Sequence, residues 1–416
     1  MSFLQLGFSA LAAAVLLALA VVLGLTGAAD LFTNGLASPQ ATQTLLEAYS
    51  LGLIGLLCLP SGWTALMQLL KKPDSALQST TALWSRIGLA GQRWDAFRVV
   101  TLLLIAGLPT SLLLGHLAAQ NANIAWLVLP PLNLVATGLP VLWLALLGIH
   151  KLEGGSAQQR WGVLACGLAL GPLIILLAEI ALLIVAGVLV LAYLSTRPEL
   201  MSELLDLARR MRSLPSPDQE ALLRMLEPYL SRPAVIASLF LFASVFVPMI
   251  EELLKPIGVW LLSWKKLTPA QGFVAGILSG AGFALFENLG NTSGAGDQWA
   301  LVTAGRIPAA LLHMLTSGMM GWGLASAWSS GRYLKLGAIY AAAITIHGLW
   351  NGMAILGAAT VPVSQPVAFT PELPANGTAS VIGLIVLCIF NLILFLLINR
   401  ALRPKPELQA PELITN

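Results

Sequence analysis

The chain has 416 residues, 57% of them hydrophobic and only 10% charged, with a mean hydropathy of +0.83. That is too little charge for a water-soluble domain, and the apolar residues come in long runs, so the solvent is lipid and the fold class is all-α, a polytopic helical membrane protein. The net charge of +3 comes with no basic cluster interleaved with aromatics, which argues against a nucleic-acid partner.

Ten apolar spans are predicted, at about 7–28, 46–70, 99–118, 124–149, 162–194, 234–264, 269–289, 301–328, 336–358 and 380–399. The first ends in "TGAAD", which weakly resembles a cleavage site. No basic segment precedes it and its apolar run is long, so a retained helix is expected. Lys71, Lys72, Arg86, Arg93 and Arg98 fall between spans two and three, and Lys151 and Arg160 between four and five. Lys265 and Lys266, then Arg332 and Lys335, then Arg400, Arg403 and Lys405 follow spans six, eight and ten, whereas the short connections 29–45, 119–123, 290–300 and 359–379 hold no Lys or Arg. This alternation predicts both termini on the cytoplasmic side of a cell membrane. Cys58, Cys166 and Cys388 lie singly in apolar segments and read as packing residues rather than a disulfide framework or a cysteine zinc site.

Residues 195–232 break the apolar pattern with six basic and six acidic side chains, and Leu, Met and Ala recur there at helical spacing. Two short amphipathic helices are predicted on the extracytoplasmic side, with Ser216, Pro217 and Gln219 as N-cap, first-turn proline and capping-box partner. They read either as a surface connector or as a lid over a site in the membrane. The chain thus divides into an N-terminal accessory bundle (1–194), this amphipathic segment (195–233), a core (234–358), and a last loop, helix and tail (359–416).

The ionisable residues concentrate in the core. A charge at the centre of a spanning helix costs about 2.5–3.5 kcal/mol on insertion scales, so an intramembrane cluster points to function. Span six places Glu251 and Lys255 four residues apart, with Glu252 about 100° round the helix; Pro248 and Pro256 bracket them and free backbone groups. In span seven Gly272, Gly276 and Gly280 make a smooth face for a neighbour, and Glu287 and Asn288 follow. Span eight puts Arg306, His313 and Ser317 on one face, and span nine His347 and Asn351. Glu179, in span five, has no evident partner and reads as structural. Taken singly, each of these groups has a bland reading: an ion pair, a headgroup contact, a packing histidine, a snorkelling arginine. Together they are the inventory for activating a water. Either a carboxylate acts as general base, or His, His and Glu bind zinc and leave a position for water, while Asn351 or a second histidine stabilises an oxyanion.

"EELLK" (251–255), "GAGFALFEN" (280–288), "RIPAALLHMLTSGMMG" (306–321) and "HGLWN" (347–351) follow in order, each in a span. Together they resemble the PrsW family of intramembrane proteases, which belongs with the CAAX-type prenyl-protein endopeptidases in a larger glutamate-and-histidine superfamily. The resemblance covers about residues 234–358. It implies that Glu251, Glu252, Glu287, His313, His347 and Asn351 carry the catalysis and that Lys255, Asn288 and Arg306 support it. Where a metal is bound, it implies Glu287, His313 and His347 as ligands; a metal-free glutamate–histidine mechanism stays open beside zinc. It further implies a membrane-anchored protein substrate, such as an anti-sigma factor, and a bacterial plasma membrane. The extra N-terminal spans and the charged 195–232 segment depart from the family pattern and bear on substrate choice. A non-catalytic scaffold of the same fold and an ion- or proton-coupled transporter are the rival readings.

Overall fold

The computed structural model describes residues 1–70, 96–213, 219–358 and 377–404. Lys71, Lys72, Arg86, Arg93, Lys405, the Ser216–Pro217 cap and most of the 359–379 connection lie outside them. All ten predicted spans are helices: α1 (Ser2–Asn34), α2 (Pro39–Leu69), α3 (Ala96–Ala119), α4 (Ala122–Ile149), α5 (Ala157–Ser195), α8 (Pro233–Trp260), α9 (Pro269–Ser293), α10 (Trp299–Ser330), α11 (Tyr333–Ala358) and α12 (Gly377–Ala401). Among the described residues, nine are long and apolar enough to cross a membrane. The tenth, α10, is long enough at 32 residues but carries Arg306, His313, Thr316 and Ser317. The chain is therefore an all-α, multi-pass membrane protein. The amphipathic segment forms two helices, α6 (Pro198–Arg212) and α7 (Gln219–Leu230), and Arg232 at the start of α8 pairs with Glu203 of α6 at 2.5 Å.

The centre is an antiparallel pair, α9 and α10. The glycine face expected on α9 is used backbone to backbone. A methyl group at Gly276 would come within 2.1 Å of the Ser317 carbonyl, one at Gly272 within 2.4 Å of the Gly321 carbonyl, and one at Gly280 within 2.5 Å of the His313 carbonyl. Lipid supplies no hydrophobic drive between helices, so such close van der Waals contact is what holds the pair together.

The other helices pack round this pair. Gly167 in the π turn of α5 (Cys166–Leu170) and Gly282 of α9 bring those two backbones together. Buried polar contacts fix the rest. Gln5 of α1 donates to the carbonyls of Ser61 (3.3 Å) and Gln158 (3.0 Å). Trp299 donates to Asn133 Oδ1 of α4 at 3.1 Å, and Asn399 of α12 to the Gly148 carbonyl at 2.7 Å.

The helix α8 is the irregular one. A π turn (Phe242–Phe246) precedes Pro248, helical geometry runs Val247–Leu254, and the chain breaks at Lys255–Pro256 before a last turn, Ile257–Trp260. The two prolines loosen the helix as expected, and neighbours donate to carbonyls along it, those of Ala243 and Lys255 being ones the irregular turns free. Ser279 Oγ donates to the Lys255 carbonyl (2.6 Å), Tyr340 Oη to that of Met249 (2.7 Å) and Asn351 Nδ2 to that of Ala243 (2.9 Å).

Candidate active site

The break in α8 turns its acidic pair and Lys255 into the middle of the protein, against α9, α10 and α11. Lys255 and Glu252 are fully buried, Glu251 is 8% exposed, and His313 and His347 are buried. Lys255 Nζ is the hub: it lies 2.6 Å from Glu252 Oε1, 3.1 Å from Glu251 Oε2, 2.9 Å from His313 Nδ1 and 3.4 Å from His347 Nδ1. On the far side of His313, Nε2 meets Glu287 Oε2 at 2.7 Å, and Arg306 Nη2 meets the same oxygen at 2.9 Å. Arg306 Nε donates to Asn288 Oδ1 at 2.8 Å, and Asn288 Nδ2 returns a bond to the Arg306 carbonyl. Four helices thus bring eight of the nine sequence-selected residues into one network. From the sequence alone, Glu251 and Glu287 fall at different membrane depths. In the structure Lys255 and His313 link them, Lys255 contacting Glu251 and His313 contacting Glu287.

Asn351 lies beside this network rather than in it. One of its amide hydrogens holds the Ala243 carbonyl of the α8 π turn.

The partners dictate the tautomers. An ammonium only donates, so His313 Nδ1 presents a lone pair to Lys255 and its Nε2–H points at the Glu287 carboxylate. A carboxylate only accepts, so His347 donates Nδ1–H to Glu252 Oε1 at 2.8 Å, which leaves the Nε2 lone pair 3.9 Å from Glu251 Oε2. Each histidine therefore has a carboxylate behind one nitrogen and a lone pair on the other, that of His313 taken up by Lys255 Nζ and that of His347 turned towards Glu251. Metal-ligating histidines are oriented in this way. Glu251, His313 and His347 each offer a ligand atom, all within 4.8 Å of one another. With the carboxylates ionised, the three acids Glu251, Glu252 and Glu287 face two cations, Lys255 and Arg306, which leaves one negative charge uncompensated. The donor set, its orientation and this residual charge all fit a metal ion. In the three-donor group Glu251 stands beside the histidines, while Glu287 orients His313 from behind. Lys255 Nζ sits among the same donors.

A cavity of about 680 Å³ leads to the site. Its floor includes Glu251 and Glu287, and its walls are α1, α5 and the aromatic face of α9 at Phe283 and Phe286. Glu252 and Lys255 do not line it. Glu179 of α5 does, although by sequence it has no evident partner and reads as structural. Its only sequence signal was a lone acid in an apolar span. Ser279 and Tyr340, which donate to the Lys255 and Met249 carbonyls, carried no signal at all.

Residues 220–388, about two-fifths of the chain, match the family described as PrsW family intramembrane metalloprotease. This region is similar to PrsW-type intramembrane proteases. It takes in every residue of the buried network and extends beyond the four motifs into α7 and α12. No curated protein and no solved structure matches the chain. Helices α1 to α6 lie outside the matched PrsW region.

Proposed function

We propose that the chain cuts a peptide bond of a membrane-anchored protein inside the bilayer, with a water activated beside Glu251. The observation that carries this reading is the meeting of Glu251, His313 and His347 within 4.8 Å at the end of an apolar cavity. Of the adjacent acids, Glu251 has the better claim to be the base. It borders the cavity, whereas Glu252 is sealed between Lys255 and His347. Glu251 takes a proton from the water as its oxygen adds to the scissile carbonyl, and the same proton then passes to the departing amine. His347 Nε2, with its lone pair towards Glu251, orients the water; Glu252 fixes the His347 tautomer, and Glu287 that of His313. The second amide hydrogen of Asn351 supplies an oxyanion donor.

For the metal-bound alternative we propose zinc, held by Glu251, His313 and His347, with the water then activated at the metal instead of by Glu251 as base. When bound, it would lower the pKa of a bound water towards about 7 and polarise the carbonyl. Glu287 then acts on the ligand His313 rather than as a ligand itself. The alternation of Lys and Arg supports both termini in the cytoplasm, and the family match supports a bacterial plasma membrane and an anti-sigma factor as a candidate substrate.

The test is cleavage of a fluorescent single-span substrate in proteoliposomes, wild type beside Glu251→Gln. Cleavage should fall by about 10²–10⁴-fold in the variant. Unchanged cleavage, or none by the wild type with any single-span substrate, would sink the reading. Metal analysis of the purified protein, beside His313→Ala and His347→Ala, should find zinc in the wild type and none in either variant.

A further inference from the structure

We propose that the cavity between α1 and α5 is the groove through which an unwound apolar segment of the substrate reaches Glu251, and that Glu179 binds a backbone N–H of that segment. The inference rests on the protease reading above and names what that site holds.

The cavity lies within the range of about 300–1,000 Å³ usual for ligand sites. Its lining is aliphatic and aromatic except for three carboxylates, Glu179, Glu251 and Glu287. Its outer wall opens towards lipid: Val15 of α1 and Leu173 and Leu176 of α5 line it and are each about half exposed. α1 packs on α5 along Ala157–Ala165, before the π turn, and beyond that turn the cavity separates the two helices. An apolar segment can therefore enter sideways from the bilayer.

A peptide bond can be cut only where the substrate helix is unwound. Unwinding in hydrocarbon leaves backbone N–H groups with no acceptor. Glu179 is the complementary group. Among the described residues it makes no hydrogen bond or ion pair, and a carboxylate is an acceptor. It stands on the same cavity as the acids of the site, so a segment that reaches Glu251 passes it. The requirement on the substrate is apolar side chains with a free backbone amide, and α1 and α5 supply it from outside the matched 220–388 region.

The experiment uses the full-length protein in proteoliposomes with the single-span substrate cleaved above. Glu179→Leu should raise KM by about tenfold and leave kcat within about twofold, the loss of one hydrogen bond to a charged group. Glu179→Gln, which still accepts from an amide, should keep KM near the wild-type value. An unchanged KM in Glu179→Leu, or a fall in kcat alone in both variants, overturns the assignment. A parallel measurement covers a variant that fails to fold. In a Glu251→Gln protein freed of its three native cysteines, a cysteine at Leu176 should crosslink to one at the scissile region of the substrate. One at Leu189, on the same helix but off the cavity and 64% exposed, should not. Equal crosslinking at both positions overturns the groove. A wild type that cleaves nothing counts against the protease reading itself, whereas one that cleaves with cavity variants unaffected counts against this inference alone.

Discussion

The site has two unlike walls. On the side of α9 and α10 it is closed: 83% of the apolar window of α9 is buried, and glycines set backbone against backbone. On the side of α1 and α5 it is open: only 6% of the corresponding window of α5 is buried, and the cavity lies there. The closed wall carries His313 and Glu287, which meet at 2.7 Å. The open wall carries one unpaired acid and many exposed aliphatic side chains. Chemistry needs fixed distances and a substrate helix needs a way in. In the proposed reading these tasks fall to different helices instead of being compromised in one.

The largest effect should come from breaking the closed wall. Gly276→Val would drive a side chain into the Ser317 carbonyl, 2.1 Å from the added Cβ, and a backbone atom cannot rotate away. Overpacking of well-packed interiors costs about 1–3 kcal/mol where neighbours give way, and here they cannot. α9 and α10 should part, carrying Glu287 and His313 away from Lys255. Displacements of about 1 Å can cost 10²-fold in rate, so cleavage should be lost, with a lower thermal midpoint in detergent. Gly290→Ala on the same helix is the control. Nothing lies within 4 Å of its added Cβ, and it should be neutral or stabilising by up to about 1 kcal/mol. If Gly276→Val behaves like Gly290→Ala, the closed wall is not what fixes the site.

The next effect concerns the cation at the centre. Removing Lys255 in Lys255→Met leaves Glu252 buried beside one histidine, and an uncompensated buried charge costs about 3–5 kcal/mol. The same change removes the ammonium from among Glu251, His313 and His347. Zinc at about 100 times its Kd would return about 2.7 kcal/mol. The variant should therefore have a lower thermal midpoint without metal and a larger rise on adding zinc than the wild type. An equal rise in both proteins would mean that the ammonium and the metal do not compete for these donors.

Much of this was readable in the sequence, for physical reasons that differ from part to part. Spans and amphipathic helices are written in composition and period, so all ten spans and both short helices could be read directly. The glycines at 272, 276 and 280 announced a close neighbour, because four-residue spacing puts them on one face. The convergence of Glu251 with Glu287 could not be read from helix lengths. It depends on how far a helix bends at Lys255–Pro256, which turns on donors lent by other helices. The role of Glu287 behind His313 was equally hidden, since sequence spacing does not say which nitrogen of a ring faces which acid. Glu179 was visible only as an anomaly, and its meaning lies in a cavity formed with a helix more than 150 residues away in sequence.

The smallest effects should appear at the seam between the closed wall and the broken helix. Ser279, fully buried on α9, donates to the Lys255 carbonyl at 2.6 Å, and Tyr340, only partly buried on α11, donates to the Met249 carbonyl at 2.7 Å. The first stands in for a bond that a straight α8 would make within itself, whereas the second adds to a carbonyl inside the regular run Val247–Leu254. Ser279→Ala leaves a carbonyl stranded in the interior, a penalty of about 1–3 kcal/mol. Tyr340→Phe removes a bond near the surface of the bundle, nearer the ordinary net value of about 0.5–1.5 kcal/mol. Thermal midpoints should therefore fall in the order wild type, Tyr340→Phe, Ser279→Ala. Cleavage should fall further in Ser279→Ala, because the Lys255 carbonyl belongs to the residue whose ammonium contacts both histidines and both adjacent acids. If the two variants match in stability and rate, the break in α8 is held by its prolines alone, and the neighbouring hydroxyls only follow it.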